Sequence, residues 1–129
     1  MPVNFFIDPK ETFKIKVYIY EQDGNVAATA DLNEVPTGTE PQTATFEFKR
    51  ANYKDSVDIT GSSMMTKDEK VQLDVIKLQD TLFRKLIVGW DLKDEEGNAV
   101  IFTSKNIDAL RPEIARVIAA ELIVKSRLF

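Results

Sequence analysis

The stretch Met65–Leu92, MTKDEKVQLDVIKLQDTLFRKLIVGWDL, constrains the chain more than any other. Apolar residues fall at Val71, Val75, Leu78, Leu82 and Leu86, in steps of four, three, four and four. That is the period of one helical face. Ile76, Phe83 and Ile87 widen the stripe towards its C-terminal end. Thr66 with Glu69 three residues later is a capping-box pattern, in which hydroxyl and carboxylate each take an orphan backbone N–H. Gly89 closes the run, where a left-handed terminal residue is tolerated best. Trp90 follows, placed to fold back on the last turn. The spacing predicts one long amphipathic helix starting at Thr66, with no catalytic group on it.

Ahead of this helix the period changes to two. In Phe13–Tyr20, FKIKVYIY, Phe13, Ile15, Val17 and Ile19 alternate with Lys14, Lys16, Tyr18 and Tyr20. β-branched and aromatic residues in alternation predict a half-buried strand. Asp23-Gly24-Asn25 is a turn signal, and Val26–Leu32 can return as a weaker strand. Asn33–Gln42 reads as an exposed loop. Thr43–Lys49 is a third one-sided strand, with Phe46 and Phe48 on one face. Phe5, Phe6 and Ile7 are expected to tuck against the body before Asp8-Pro9 breaks the chain. Residues 50–63 give mixed signals, compatible with a strand extension or an irregular link. Met64 and Met65 sit at a staple position ahead of the Thr66 cap, with a Met-rich partner surface as the less favoured reading.

After Trp90, the acidic run ending in Gly97-Asn98 reads as a tight connection, and Ala99–Phe102 as a short extended segment. Thr103 suits the N-cap of a short helix over Ser104–Leu110. Pro112 and Glu113 suit the first turn of a last helix, Pro112–Arg127. Ile114, Val117, Ile118 and Leu122 form its stripe. These signals predict an α+β fold: an N-terminal antiparallel β meander or hairpin, then a helical half of two main helices and one short helix. The composition shift divides the chain into a β-rich part, 1–63, and a helical part, 64–129, as one domain or two small lobes.

Composition narrows the chemistry. The chain has neither histidine nor cysteine, which removes the usual triads, thiolate chemistry and the commonest metal ligand. A net charge of −4 without clustered Lys or Arg disfavours a nucleic-acid surface. Lysines do interleave with aromatics in Phe13–Tyr20, but ordinary amphipathic alternation accounts for that. The acidic cluster Asp91, Asp94, Glu95, Glu96 fails as an EF-hand: counted from Asp91, the third position is Lys93 and the sixth is Glu96. A solvated turn is the simpler reading. Glycines are too scattered for a phosphate cradle. Asp74 and Asp80 fall on the polar side of the helix, where solvent covers them. No small-molecule substrate or cofactor is implied. The N-terminus lacks the basic start and apolar run of a secretory signal, and no stretch approaches a membrane span. A cytoplasmic protein is expected.

The segment 86–122, LIVGWDLKDEEGNAVIFTSKNIDALRPEIARVIAAEL, resembles the tail assembly chaperones of long-tailed bacteriophages. The likeness rests on Val88-Gly89-Trp90, the acidic turn Glu95-Glu96-Gly97-Asn98, then Phe102-Thr103, Asn106, Leu110, Pro112 and Glu113, ahead of a closing helix. It covers under a third of the chain, and the strand-patterned N-terminal half departs from a largely helical chaperone. The resemblance implies a non-catalytic factor that coats the tape measure protein, keeps its long helices soluble, recruits tail tube subunits, and is shed before the virion matures. It implies homo-oligomers, and work in the host cytoplasm. Apolar helical faces would do the binding. The candidate partner-binding residues are Leu82, Phe83, Leu86, Ile87, Trp90, Ile118 and Leu122. Trp90 reads either as core or as an interface anchor. A structural protein of the tail or head–tail junction is the alternative, and suits the β-rich half better. An enzyme is the least supported class.

Overall fold

Alternation in the first half builds a sheet. The computed structural model of the chain describes residues 4–126. Strands β1 (Thr12–Gln22), β2 (Asn25–Thr29), β3 (Gln42–Lys49) and β6 (Ile87–Trp90) form one antiparallel sheet in the order β2-β1-β3-β6. The chain is α+β, with β1, β2 and β3 near the N-terminus and the helices after them, the remaining strands lying between helices. β1 lies in the middle of the first three strands, so this is a hairpin followed by a crossover and no simple meander. The reason is length: Tyr18–Gln22 of β1 pairs with β2 while Thr12–Ile19 pairs with β3. The β1–β2 turn places Asp23 and Gly24 at φ 54° and 79°. That is the left-handed pair that a two-residue hairpin requires.

Helices α1 (Tyr53–Ser62), α2 (Val75–Leu86) and α4 (Pro112–Ser126) complete the core, with the short α3 (Ser104–Asp108) alongside. Ile15 and Val17 of β1, and Ala44, Phe46 and Phe48 of β3, are buried in one cluster with Ile59 of α1. Leu78, Leu82, Phe83 and Leu86 of α2 join it, as do Ile114, Ile118 and Leu122 of α4. Phe83 meets Phe46 and Phe48 edge to face, at centroid separations of 6.4 and 5.7 Å. Each fully buried Leu, Ile or Phe contributes roughly 1.5–3 kcal/mol. The opposite sheet face carries Lys14, Lys16, Tyr18 and Tyr20, with the tyrosines half-buried. Both halves of the chain feed one sheet and one core, because β6 follows α2 yet pairs with β3. The shift in composition at residue 63 therefore marks no separation.

Several elements differ from the sequence expectation. Residues 50–63 hold α1, opened by a reciprocal capping box between Asn52 and Asp55. The long helix is shorter than its stripe. Its N-cap is Asp74, whose side chain accepts from the Lys77 N–H at 3.1 Å. Thr66 and Glu69 cap nothing there. They lie in a second hairpin, β4 (Met64–Lys67) and β5 (Lys70–Leu73). At the other end Ile87 turns to extended backbone (φ −66°, ψ 134°), and Gly89 sits in β6 opposite Glu47 instead of ending the helix. Phe5, Phe6 and Ile7 are exposed, Phe5 at 88%, and do not tuck in. Ala99–Phe102 forms no strand, only a single bridge from Ala99 to Lys93. Thr103 caps α3 as expected, accepting from the Asn106 N–H. The expected end of the last helix, Arg127, lies outside the described residues.

Candidate partner-binding surface

The residues expected to bind a partner are mostly committed to the core. Leu82, Leu86, Ile118 and Leu122 are fully buried, and Phe83 and Ile87 are nearly so. In this conformation they offer no surface to another chain. The helical stripe that singled them out is the face that α2 turns towards the sheet and α4. Trp90 is half-buried and makes local contacts. Its indole N–H donates to the Val100 carbonyl at 2.9 Å. Its ring stands edge to face with Phe46 and with Phe102, at 6.1 and 5.1 Å. Trp90 thus pins the excursion 91–102 back onto the sheet.

Residues 90–106 of the segment that carries the family resemblance are tied together around that tryptophan. Asp91 continues the sheet: the Thr45 N–H donates to its carboxylate at 2.7 Å, and its own N–H to the Thr45 carbonyl. The acidic turn is held by Asp94, whose Oδ1 accepts from the Glu96 and Asn98 N–H groups. Gly97 supplies the positive φ, 84°. Asn106 donates to the Ile101 carbonyl at 2.6 Å. Turns, caps and one edge-to-face aromatic pair account for these residues.

Apolar surface lies elsewhere. Every residue of β4 and β5 is exposed. Met64 pairs with Leu73 and Thr66 with Val71, so these four project from one face by the pleat. Met65, Lys67, Lys70 and Gln72 project from the other. Val71 is 71% exposed, and beyond the hairpin Val75 and Ile76 are 54% and 80% exposed. Met64, Val71, Leu73, Val75 and Ile76 are thus apolar side chains left exposed among the described residues. The hairpin is also poorly supported. Its turn puts Asp68 and Glu69 at φ 51° and 63°, where a residue with a Cβ costs roughly 1–2 kcal/mol. Among the described residues no third strand flanks it, and a lone two-stranded hairpin is marginal in water.

Ile76 also leads into a groove of about 300 Å³ between α2, α3 and α4. Phe83, Ile107, Leu110, Pro112 and Ala119 give it apolar walls, with Arg116 and Gln79 at the polar edge. Arg84 fixes its geometry. The guanidinium donates to Asp108 on α3, to Asp80 at 2.9 Å and to Ser104 at 3.3 Å. The hydrogen bonds to Asp108 and then Asp80 raise the Arg84 pKa further, so this clamp stays charged. Asp80 is thus a partner of Arg84, and Asp74 is a cap; neither is a merely solvated carboxylate. Sequence reading missed the groove, because Ile107, Leu110 and Ala115 belong to no single periodic stripe. It missed the hairpin because Asp68-Glu69 carries none of the Asn-Gly chemistry that marks such turns.

No protein-family model, curated protein or solved structure matches the chain. Among the described residues no helix is long and apolar enough to cross a membrane.

Proposed function

We propose that this chain is a non-catalytic assembly factor of the phage tail chaperone type. It binds helical segments of the tape measure protein, and tail tube subunits, during tail assembly in the host cytoplasm. The observation that carries the reading is the groove between α2, α3 and α4, with the exposed apolar residues Val71, Leu73, Val75 and Ile76 in and ahead of α2, of which Ile76 lines it. An amphipathic helix laid in such a groove buries one face against it and leaves the other in water. The binding surface is thus the groove and the exposed apolar residues beside it, and the buried Leu82, Phe83, Leu86, Ile87, Ile118 and Leu122 serve the core beneath it.

The test is co-expression with a phage tape measure protein, followed by affinity capture and light scattering. The wild-type chain should hold the tape measure protein in solution as a complex. Ile76→Asp should weaken capture at least tenfold with thermal stability unchanged, since Ile76 is 80% exposed. No complex with the wild-type chain, which remains a strict monomer, would refute the reading. The unpaired hairpin edges and open sheet face favour a second reading, a ring-forming structural protein of the tail. Purified virions containing the polypeptide at ring stoichiometry would select it.

A further inference from the structure

The segment 66–74 carries two incompatible instructions. As a hairpin it leaves residues 66–73 exposed and holds two residues with Cβ atoms in left-handed backbone. As sequence it is helical. Lys67, Glu69, Lys70, Gln72 and Leu73 are good helix formers, and Val71 continues the stripe of Val75, Leu78 and Leu82 at the right spacing. Residues 69–74 also adjoin a helix that already exists. Adding turns to α2 is propagation and needs no new nucleus.

We infer that residues 69–74 convert between the β4–β5 hairpin and an N-terminal extension of α2 capped by Asp68, and that the extended form is the one that receives a helical partner. Reach decides between the two available caps. Extending α2 back to residue 69 places Asp68 about 9 Å beyond Asp74, at 1.5 Å per residue. Ser63 is anchored beside Asp74, its carbonyl accepting the Asp74 N–H at 2.7 Å. The chain from Ser63 to Asp68 can span up to about 17 Å, so α1 and its buried Ser63 stay in place. A cap at Thr66 would lie about 12 Å away, and the chain from Ser63 to Thr66 spans about 10 Å at most. That form would have to unwind the end of α1.

On conversion the Asp74 N–H exchanges the Ser63 carbonyl for that of Lys70, and Glu69 leaves its positive φ. Leu73 then falls in line with Ile76 and Phe83, lengthening the α2 wall of the groove by about 4.5 Å, a little less than one turn. The functional sense of the switch rests on the helix-binding reading above; its existence does not.

The test uses the isotopically labelled full chain and two variants. Glu69→Pro cannot hold φ 63° but suits the first turn of a helix. Asp68→Asn with Glu69→Gly installs the favoured hairpin turn. Glu69→Pro should stay folded, gain helical Cα shifts over residues 70–74 and show a stronger 222 nm signal. The double variant should keep strand shifts over 64–67 and 70–73. In the wild-type chain the Met65 and Gln72 amides should exchange at least 100-fold faster than that of Leu82. Absence of helical shifts in Glu69→Pro, or Met65 and Gln72 exchanging as slowly as Leu82, overturns the inference. Glu69→Pro should also bind tape measure protein about tenfold tighter than the double variant, and equal binding overturns the functional half. Conversion with no tape measure binding by any form would sink the assembly-factor reading and leave the switch standing.

Discussion

The described residues contain two hairpins with the same kind of two-residue turn, and they live by different rules. In the first, Asp23-Gly24 joins β1 to β2, β1 is flanked on its other side by β3, and α4 packs across both strands. In the second, Asp68-Glu69 joins β4 to β5 with no neighbouring strand and no buried residue. Both turns sit at positive φ, but only the first has a glycine there. The first hairpin is held by what lies beneath it. The second is held by its own hydrogen bonds and by the tie from Asp74 to Ser63. Local geometry alone therefore does not say whether a hairpin belongs to the fold's cooperative unit; burial does.

The largest test of that contrast compares two apolar residues of the same helical stripe. Leu82→Ala should cost about 2–5 kcal/mol, because Leu82 is fully enclosed and its neighbours cannot collapse into the space. Val71→Ala should change global stability by less than ~0.5 kcal/mol, as at other exposed sites. Urea unfolding followed by circular dichroism measures both. Comparable losses would mean that the hairpin is part of the cooperative core.

That pair also marks how far the sequence was readable. Alternation located β1 and β3, and their inward residues Ile15, Val17, Phe46 and Phe48 are the buried ones. The stripe of α2 was right from Leu78 to Leu86 and wrong ahead of Val75, because helical periodicity does not tell which residues have a surface to pack on. Val71 fits the stripe and packs on nothing. α1 was obscure because its apolar residues are sparse and a glycine sits at its end, although Asn52 with Asp55 is a readable cap. The groove depends on α3 settling against α2 through Arg84 and Asp108, residues 24 apart in the chain. No local pattern announces such a contact.

An intermediate effect is expected at Trp90, which joins the sheet to the unit that carries the family resemblance. Trp90→Phe keeps an aromatic ring near Phe46 and Phe102 but removes the donor to the Val100 carbonyl. A loss of about 1–2 kcal/mol follows from one half-buried hydrogen bond left unmade. Capture of the tape measure protein should be unchanged. Capture that falls while stability holds would instead make Trp90 an interface anchor, and would move the binding surface from the groove to the sheet edge.

The smallest effects separate the two turns. A Cβ at Gly24 would meet nothing within 4 Å, so Gly24→Ala is opposed by backbone conformation alone, φ 79°. About 1 kcal/mol is the expected cost, or roughly 3–5 °C in melting temperature for a chain of this size. Glu69→Gly relieves the same conformation in the other hairpin. Yet the melting temperature should move by less than about 1 °C, because strain released in a segment that opens independently is not returned to global unfolding. Scanning calorimetry on both variants decides this. A rise for Glu69→Gly equal to the fall for Gly24→Ala would place both hairpins in one cooperative unit, and would leave residues 69–74 no freedom to become helix without unfolding the whole.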